Sequence, residues 1–285
     1  MSNASIDSRD WSQLTRPQQI QQLELEGYLV VPDLLDANEI LGLKEATAEL
    51  ATVAVDYSPH QQVAQNIQFA SPELTRLIGH PLTTRFLADL FGDDIVMMTY
   101  AYARSEPGHP GISLHTDGQP YGSDIFGYEG SCPVLVRVLY YLDDLTPEVS
   151  PFRVVPRSHL SFHSDANPYL RYESHPEEVI VTAKAGSAVL LHPQVFHGNC
   201  PNLGTRNREL LAIAYRPAWA GPIAEVDEWD PADLQDIDPQ ILPYLGSRNQ
   251  RKADIHGGNK PPNMQREAPG INPSRWPLTT SHPGT

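Results

Sequence analysis

Ser113-Leu114-His115-Thr116-Asp117-Gly118 stands between two chain-breaking stretches, Pro107-Gly108-His109-Pro110-Gly111 before it and Gly118-Gln119-Pro120 at its end. Residues two apart point the same way on an extended strand and different ways on a helix. Read as a strand end, the stretch offers the His115 imidazole and the Asp117 carboxylate to one point, which is most of a site for a divalent metal. Read as a loop, it is a histidine beside an Asp-Gly turn and carries no chemistry. The surrounding chain decides between the two.

Downstream, Val134-Leu135-Val136-Arg137-Val138-Leu139-Tyr140-Tyr141-Leu142 is a strong strand signal, rich in β-branched and aromatic residues. Ile95–Ala103, Phe152–Val155, Glu178–Ala183, Ser187–Leu191 and Glu209–Tyr215 read the same way, each bounded by Gly, Pro or Asp. Short strands separated by such turns predict a sandwich or barrel. Upstream of Gly92 the pattern is mostly helical. Thr15-Arg16-Pro17 starts one helix, which Gly27 ends before a short strand, Tyr28–Val31. Asp36 caps a second helix, and two more follow from Ser71 to Ile78 and from Pro81 to Phe91. Between them Asn66-Ile67-Gln68-Phe69 is an expected strand near a pocket. After Pro217 the chain is rich in Pro, Asp, Asn and Gly, with scattered aromatics that argue against a purely disordered tail.

Composition narrows the function. The 285 residues are 40% hydrophobic, enough to bury a full core. A net charge of −15 repels phosphate backbones, so nucleic acid is not an expected partner. Cys132 and Cys200 make neither a disulfide framework nor a zinc ribbon and read as free thiols of a cytoplasmic protein. Residues 1–16 lack the apolar segment of a secretory signal, and no apolar run is long enough to predict a membrane span.

A third metal ligand is sought in Leu190-Leu191-His192-Pro193-Gln194-Val195-Phe196-His197-Gly198-Asn199, where His192 and His197 compete. His197 follows an apolar strand and precedes a glycine that permits close approach. His192 precedes a proline and can simply close the strand. Two histidines and a carboxylate would form the facial triad of non-haem Fe(II) oxygenases. Arg208, at the head of the strand Glu209–Tyr215, offers a fork of donors suited to a carboxylate, and Arg206 is its competitor.

The sequence resembles the phytanoyl-CoA dioxygenase family of Fe(II)/2-oxoglutarate-dependent oxygenases. The likeness is carried by Glu26-Gly27-Tyr28-Leu29-Val30-Val31, Arg104-Ser105-Glu106-Pro107-Gly108, the His115/Asp117 pair and Leu142-Asp143-Asp144. It continues through Val154-Val155-Pro156-Arg157-Ser158-His159, Lys184–His192, His197-Gly198, Pro201-Asn202 and Arg208. There are departures. Ser150-Pro151 and Arg157 stand where the family usually has glycine, and Arg137 occupies a strand position where an aromatic residue or threonine is usual.

The resemblance implies a mainly β fold with N-terminal helices, built on a double-stranded β-helix (a jelly-roll or cupin-like core). Residues 1–16 would be a tail and 17–217 one catalytic domain, helical over 17–92 with a β core over 93–217. Residues 218–285 would be an extension that wraps the core, the pocket or a partner subunit. It implies iron on His115, Asp117 and His197. 2-Oxoglutarate would lie on Arg208 with Tyr102 and Arg137, and O2 would be the second cosubstrate. Gln68, Phe69, Arg104, Gln119, Tyr121 and Phe126 are expected to touch a small organic substrate, in a monomer or homodimer of specialised metabolism. The Asp117 carboxylate favours hydroxylation over halogenation. The rival readings are a cupin-type metal enzyme that does not use 2-oxoglutarate and a non-catalytic binding protein on the same fold.

Overall fold

The computed structural model describes residues 4–116, 135–160, 174–218 and 228–246. Helix α1 (Arg16–Glu26) opens on a capping box between Thr15 and Gln18 and has proline in its first turn. It ends at Gly27 in the left-handed conformation (φ 81°). Near strand β1 (Ser5–Ile6), Asp7 accepts a hydrogen bond from the Tyr28 hydroxyl. Strand β2 (Tyr28–Val31) follows α1, and Asp36 then caps α2 (Ala37–Ala48) through the Asn38 and Glu39 amides. Next come β3 (Val53–Val55), β4 (Ser58–Gln65), α3 (Pro72–Leu77) and α4 (Pro81–Phe91).

The β core consists of β5 (Ile95–Ser105), β6 (Ile112–His115), β7 (Val136–Tyr141), β8 (Phe152–Val154), β9 (Val179–Val181), β10 (Ala188–Leu191), β11 (His197–Asn199) and β12 (Arg208–Pro217). Among the described residues these strands form two sheets, ordered β2-β10-β7-β12-β5-β4-β3 and β1-β9-β8-β11-β6. Strands that follow one another along the chain alternate between the sheets from β5 to β8 and again from β9 to β12, as a jelly roll requires. The fold class is therefore the one expected.

Two local expectations change and a third is extended. The first 92 residues also hold a hairpin, β3–β4, which extends the large sheet beyond β5. Asn66–Phe69 is not a strand: Asn66 takes a left-handed backbone (φ 60°) and the chain turns into α3. His197 follows the apolar strand β10, as expected, but also begins a strand of its own, β11.

Cross-strand partners share a face of a sheet. Arg208 lies opposite Ser105, Leu210 opposite Ala103 and Tyr141, and Ala214 opposite Thr99 and Arg137. These side chains form the inner wall of the large sheet, facing the small one. The outer face carries Tyr102, Arg104 and Glu209. There Lys44 of α2 pairs with Asp143 at 2.6 Å and with Glu209 at 3.4 Å, pinning the helix to the sheet. Of the C-terminal extension, 228–246 packs on the core, with Ile241 and Leu245 buried and Trp229 edge-on to Phe69 at 5.3 Å.

Candidate active site

The register of the small sheet brings two histidines together. His115 is the last residue of β6 and His197 the first of β11, and they are direct cross-strand partners. Their rings lie 4.6 Å apart at 41°, and both residues are buried. Each ring is held by its own strand. His115 Nδ1 lies 2.8 Å from the Ser113 carbonyl, and His197 Nδ1 lies 3.0 Å from the Val195 carbonyl. A carbonyl only accepts, so Nδ1 carries a proton in both rings, which leaves Nε2 as the atom each ring would offer to a metal. Two imidazoles side by side, each orientated from behind, form a pair of nitrogen donors suited to a divalent transition metal.

The close approach of β11 and β6 depends on Gly198. A Cβ there would meet the Ile112 carbonyl oxygen and come within 2.9 Å of that of Ser113. Arg153, opposite Gly198 on β8, sends Nη2 to the Ile112 carbonyl at 2.8 Å. The glycine is thus needed for the two backbones to meet, not for a ligand to enter.

Asp117, Gln119, Tyr121 and Phe126 lie outside the described residues. Among the described residues no third His, Cys, Asp or Glu joins the pair to complete a metal cluster. His192 belongs to a different pair. Its ring lies 4.5 Å from that of His159, tilted by 36°, and its Nδ1 accepts the Gln194 amide. His159 in turn hydrogen-bonds the Glu24 carbonyl at the end of α1. This second histidine pair joins the helix to the barrel.

Deeper along the inner wall the surroundings change to hydrogen-bond donors. Asn199 follows His197 on the same face, and its amide donates to the Ser150 carbonyl at 3.4 Å. The Ser150 hydroxyl accepts from Arg208 at 3.4 Å, and the Ser105 hydroxyl accepts from it at 2.7 Å. Arg208 is 1% exposed and stands over the Tyr141 ring at 5.9 Å. Its Nε and Nη1 have no hydrogen-bond partner among the described residues, and the Tyr141 hydroxyl has at most the Asn199 side chain beside it. Burial pushes the Arg208 pKa down, though not enough to remove a guanidinium charge, and pushes the Tyr141 phenol up to about 12. The pocket therefore presents a buried cation that Asp143 reaches only through its field and that no carboxylate among the described residues is shown to hydrogen-bond, an arrangement costly to bury unless an acceptor enters.

Arg206 is not on this wall. It lies exposed before β12 and donates to the Asp144 carbonyl. Tyr102 and Arg104 face outward: the Tyr102 hydroxyl donates to Glu209 at 2.6 Å, and Arg104 pairs with Glu106 at 2.9 Å. The expectation that they line the pocket fails because alternation gives two faces and does not say which looks inward. Gln68 and Phe69 are packed beside α3 and Trp229. Arg137 does share the inner wall, but Ala214, its partner, is six positions along β12 from Arg208, about 20 Å at the rise of a strand. It stands at the end of the barrel where β6 stops and β7 begins. Tyr141, Ser105, Ser150 and Asn199 were not anticipated. Counting in twos from Arg137 would have found Tyr141.

The family model for phytanoyl-CoA dioxygenase matches residues 23–210. Several solved structures share the fold. One is the non-haem alpha-ketoglutarate-dependent epimerase SnoN from nogalamycin biosynthesis (21% identity, TM-score 0.59, covering 71% of this chain and 81% of that one). Another is HygX from Streptomyces hygroscopicus with nickel and 2-oxoglutarate bound (22%, TM-score 0.61, covering 78% and 94%). A third is the non-haem alpha-ketoglutarate-dependent carbocyclase SnoK, also from nogalamycin biosynthesis (18%, TM-score 0.59, covering 74% and 88%). No curated protein sequence matches the chain.

Proposed function

The chain belongs to the phytanoyl-CoA dioxygenase family, and on that premise we propose that it is an Fe(II)- and 2-oxoglutarate-dependent oxygenase of specialised metabolism. It oxidises a small organic molecule at a C–H bond, with succinate and CO2 as co-products. The observation that carries this reading is Arg208, a buried guanidinium with two nitrogens left unpartnered, set below a pair of orientated histidines. A dicarboxylate that reaches a metal with one end and Arg208 with the other satisfies both. A cupin-type enzyme that does without 2-oxoglutarate leaves Nε and Nη1 of Arg208 with no acceptor.

His115 and His197 would hold the iron through Nε2, with Asp117 as the carboxylate ligand two residues after His115. Bound there, the metal would supply the activation of O2 coupled to oxidative decarboxylation of 2-oxoglutarate. The protein's own share is fixed by its side chains. The Ser113 and Val195 carbonyls hold the imidazoles in one tautomer and one orientation. Arg208 binds and neutralises the far carboxylate, and the Ser105 and Ser150 hydroxyls hold its guanidinium in place. Burial of the histidines and of Arg208 excludes water from the reacting groups. Arg137 stands at mouth level, suited to substrate or to the metal end of 2-oxoglutarate rather than to the far carboxylate. The fold hosts an epimerase and a carbocyclase as well, so the seat of the substrate decides the outcome.

Succinate release tests this reading. Protein supplied with Fe(II), 2-oxoglutarate and O2 should form succinate, faster when a panel of small organic molecules includes a substrate. Arg208→Leu should raise the 2-oxoglutarate KM about a hundredfold, the loss of a buried charge-assisted pair, while Arg206→Ala leaves it within about twofold. Equal effects would reassign the anchor. No Fe(II)-dependent succinate from the wild-type protein would overturn the reading.

A further inference from the structure

The loop between β5 and β6 carries a second buried donor beside Arg208. His109 is 1% exposed. Its Nδ1 accepts the Gly111 amide at 3.3 Å, so the ring proton sits on Nε2. That Nε2–H has no partner among the described residues. Its backbone is tied to the arginine's own support: Asn202 donates its amide to the His109 carbonyl at 2.9 Å and its side chain to the Ser105 carbonyl at 2.9 Å. Ser105 is the residue on which Arg208 rests. Burial, then the positive charge of Arg208 and then His60, hold the imidazole pKa down to about 3, so the ring stays neutral with its proton on Nε2.

Arg208 and His109 therefore each keep an unpartnered buried N–H close enough for the guanidinium charge to act on the imidazole, and Tyr141, with its ring 5.9 Å from the guanidinium, adds a hydroxyl. A water molecule offers an acceptor but no charge, and it leaves the guanidinium uncompensated. A carboxylate has about four lone-pair positions on two oxygens and carries the missing charge. We propose that His109 binds the far carboxylate of 2-oxoglutarate, donating Nε2–H to it alongside Arg208 and Tyr141. This rests on the reading of the chain as a 2-oxoglutarate-dependent oxygenase and adds a residue to it. His109 thereby favours a 2-oxoacid that ends in a second carboxylate over one that ends in a methyl group.

Calorimetric titration of the anaerobic, Mn(II)-loaded protein separates the two levels. Wild type should bind 2-oxoglutarate far more tightly than 2-oxobutyrate, which lacks the far carboxylate. His109→Phe, which keeps a ring beside Tyr57 (6.0 Å away in the wild type), should weaken 2-oxoglutarate about tenfold to a hundredfold and leave 2-oxobutyrate unchanged. His109→Gln, which retains an N–H donor, should recover part of the loss. In wild-type protein loaded with Zn(II), the Nε2–H resonance of His109 should shift on addition of 2-oxoglutarate and not of 2-oxobutyrate. Wild-type binding with an unmoved resonance, or equal weakening of both acids in His109→Phe, would overturn the role of His109 alone. Failure of the wild type to bind 2-oxoglutarate would overturn the function itself.

Discussion

Ser150 and Arg157 both take a left-handed backbone, with φ of 46° and 66°. They are the two positions where glycine is usual in the family, and the structure supplies the reason, since only glycine enters that region without strain. Ser150 has a compensating use, because its hydroxyl accepts from Arg208 and donates to the Cys200 carbonyl at 3.0 Å. Arg157 has little: its side chain is 70% exposed and meets Glu26 at 3.5 Å. Arg157→Gly should therefore stabilise the protein by about 0.5–1 kcal/mol, the relief of strain less the added freedom of the unfolded chain. Urea unfolding measures it, and a loss of stability would show that the Glu26 pair matters more than the backbone. At this scale His115, His197 and Arg208 could be named because the family resemblance singles them out; spacing and strand parity alone left His192 and Arg206 as competitors. His109 could not be named, because its role depends on how a Pro/Gly loop folds back, and that has no periodic signal.

The strands β6 and β11 are the elements that make the site. Their register puts His197 opposite His115, and Gly198 lets the backbones close. Gly198→Ala would press a methyl group against two carbonyl oxygens of β6. It should cost about 2–3 kcal/mol and weaken divalent-metal binding at least about tenfold, as the two rings are pushed apart. Thermal unfolding and metal titration check the two effects, and unchanged metal affinity would mean that the strands tolerate the shift. Long apolar strands such as β5, β7 and β12 announced themselves in the sequence. The short β11 did not, because its three residues, His-Gly-Asn, have low strand propensity and are set by pairing. The β3–β4 hairpin escaped for a related reason. β4 reads Ser-Pro-His-Gln-Gln-Val-Ala-Gln, with too few apolar residues to show alternation, because it lies near the sheet edge.

On the scale of the whole molecule, two buried imidazoles make stability depend on pH. Burial, with His159 beside it, holds His192 down to about 3, and burial, Arg208 and His60 do the same to His109. Both titrate near 6.5 in the unfolded chain. Between that value and about 3 the unfolded chain binds protons that the folded chain refuses. Their contribution is thus complete above about pH 6.5 and is lost as pH falls, by up to about 1.4 kcal/mol per unit for each ring. Urea unfolding of metal-free protein from pH 7.5 to 5 should show that slope, and His192→Leu should remove about one proton's share of it. An unchanged slope would place the acid sensitivity elsewhere. The helices-then-strands order was legible because hydrophobic period changes at Gly92. The seat of the C-terminal extension was not, because scattered aromatics such as Trp229 and Tyr244 carry no period, and their partners, Phe69 and Gly79, are distant in sequence.

The central claim is that His115 and His197 hold an iron that 2-oxoglutarate reaches from Arg208. Visible absorption of the anaerobic protein after addition of Fe(II) and then 2-oxoglutarate tests it most directly. A weak charge-transfer band should appear only with both present, vanish in His197→Ala, and in Arg208→Leu need far more 2-oxoglutarate to develop. Absence of the band from wild-type protein with both components in excess, or its persistence in His197→Ala, would contradict the account.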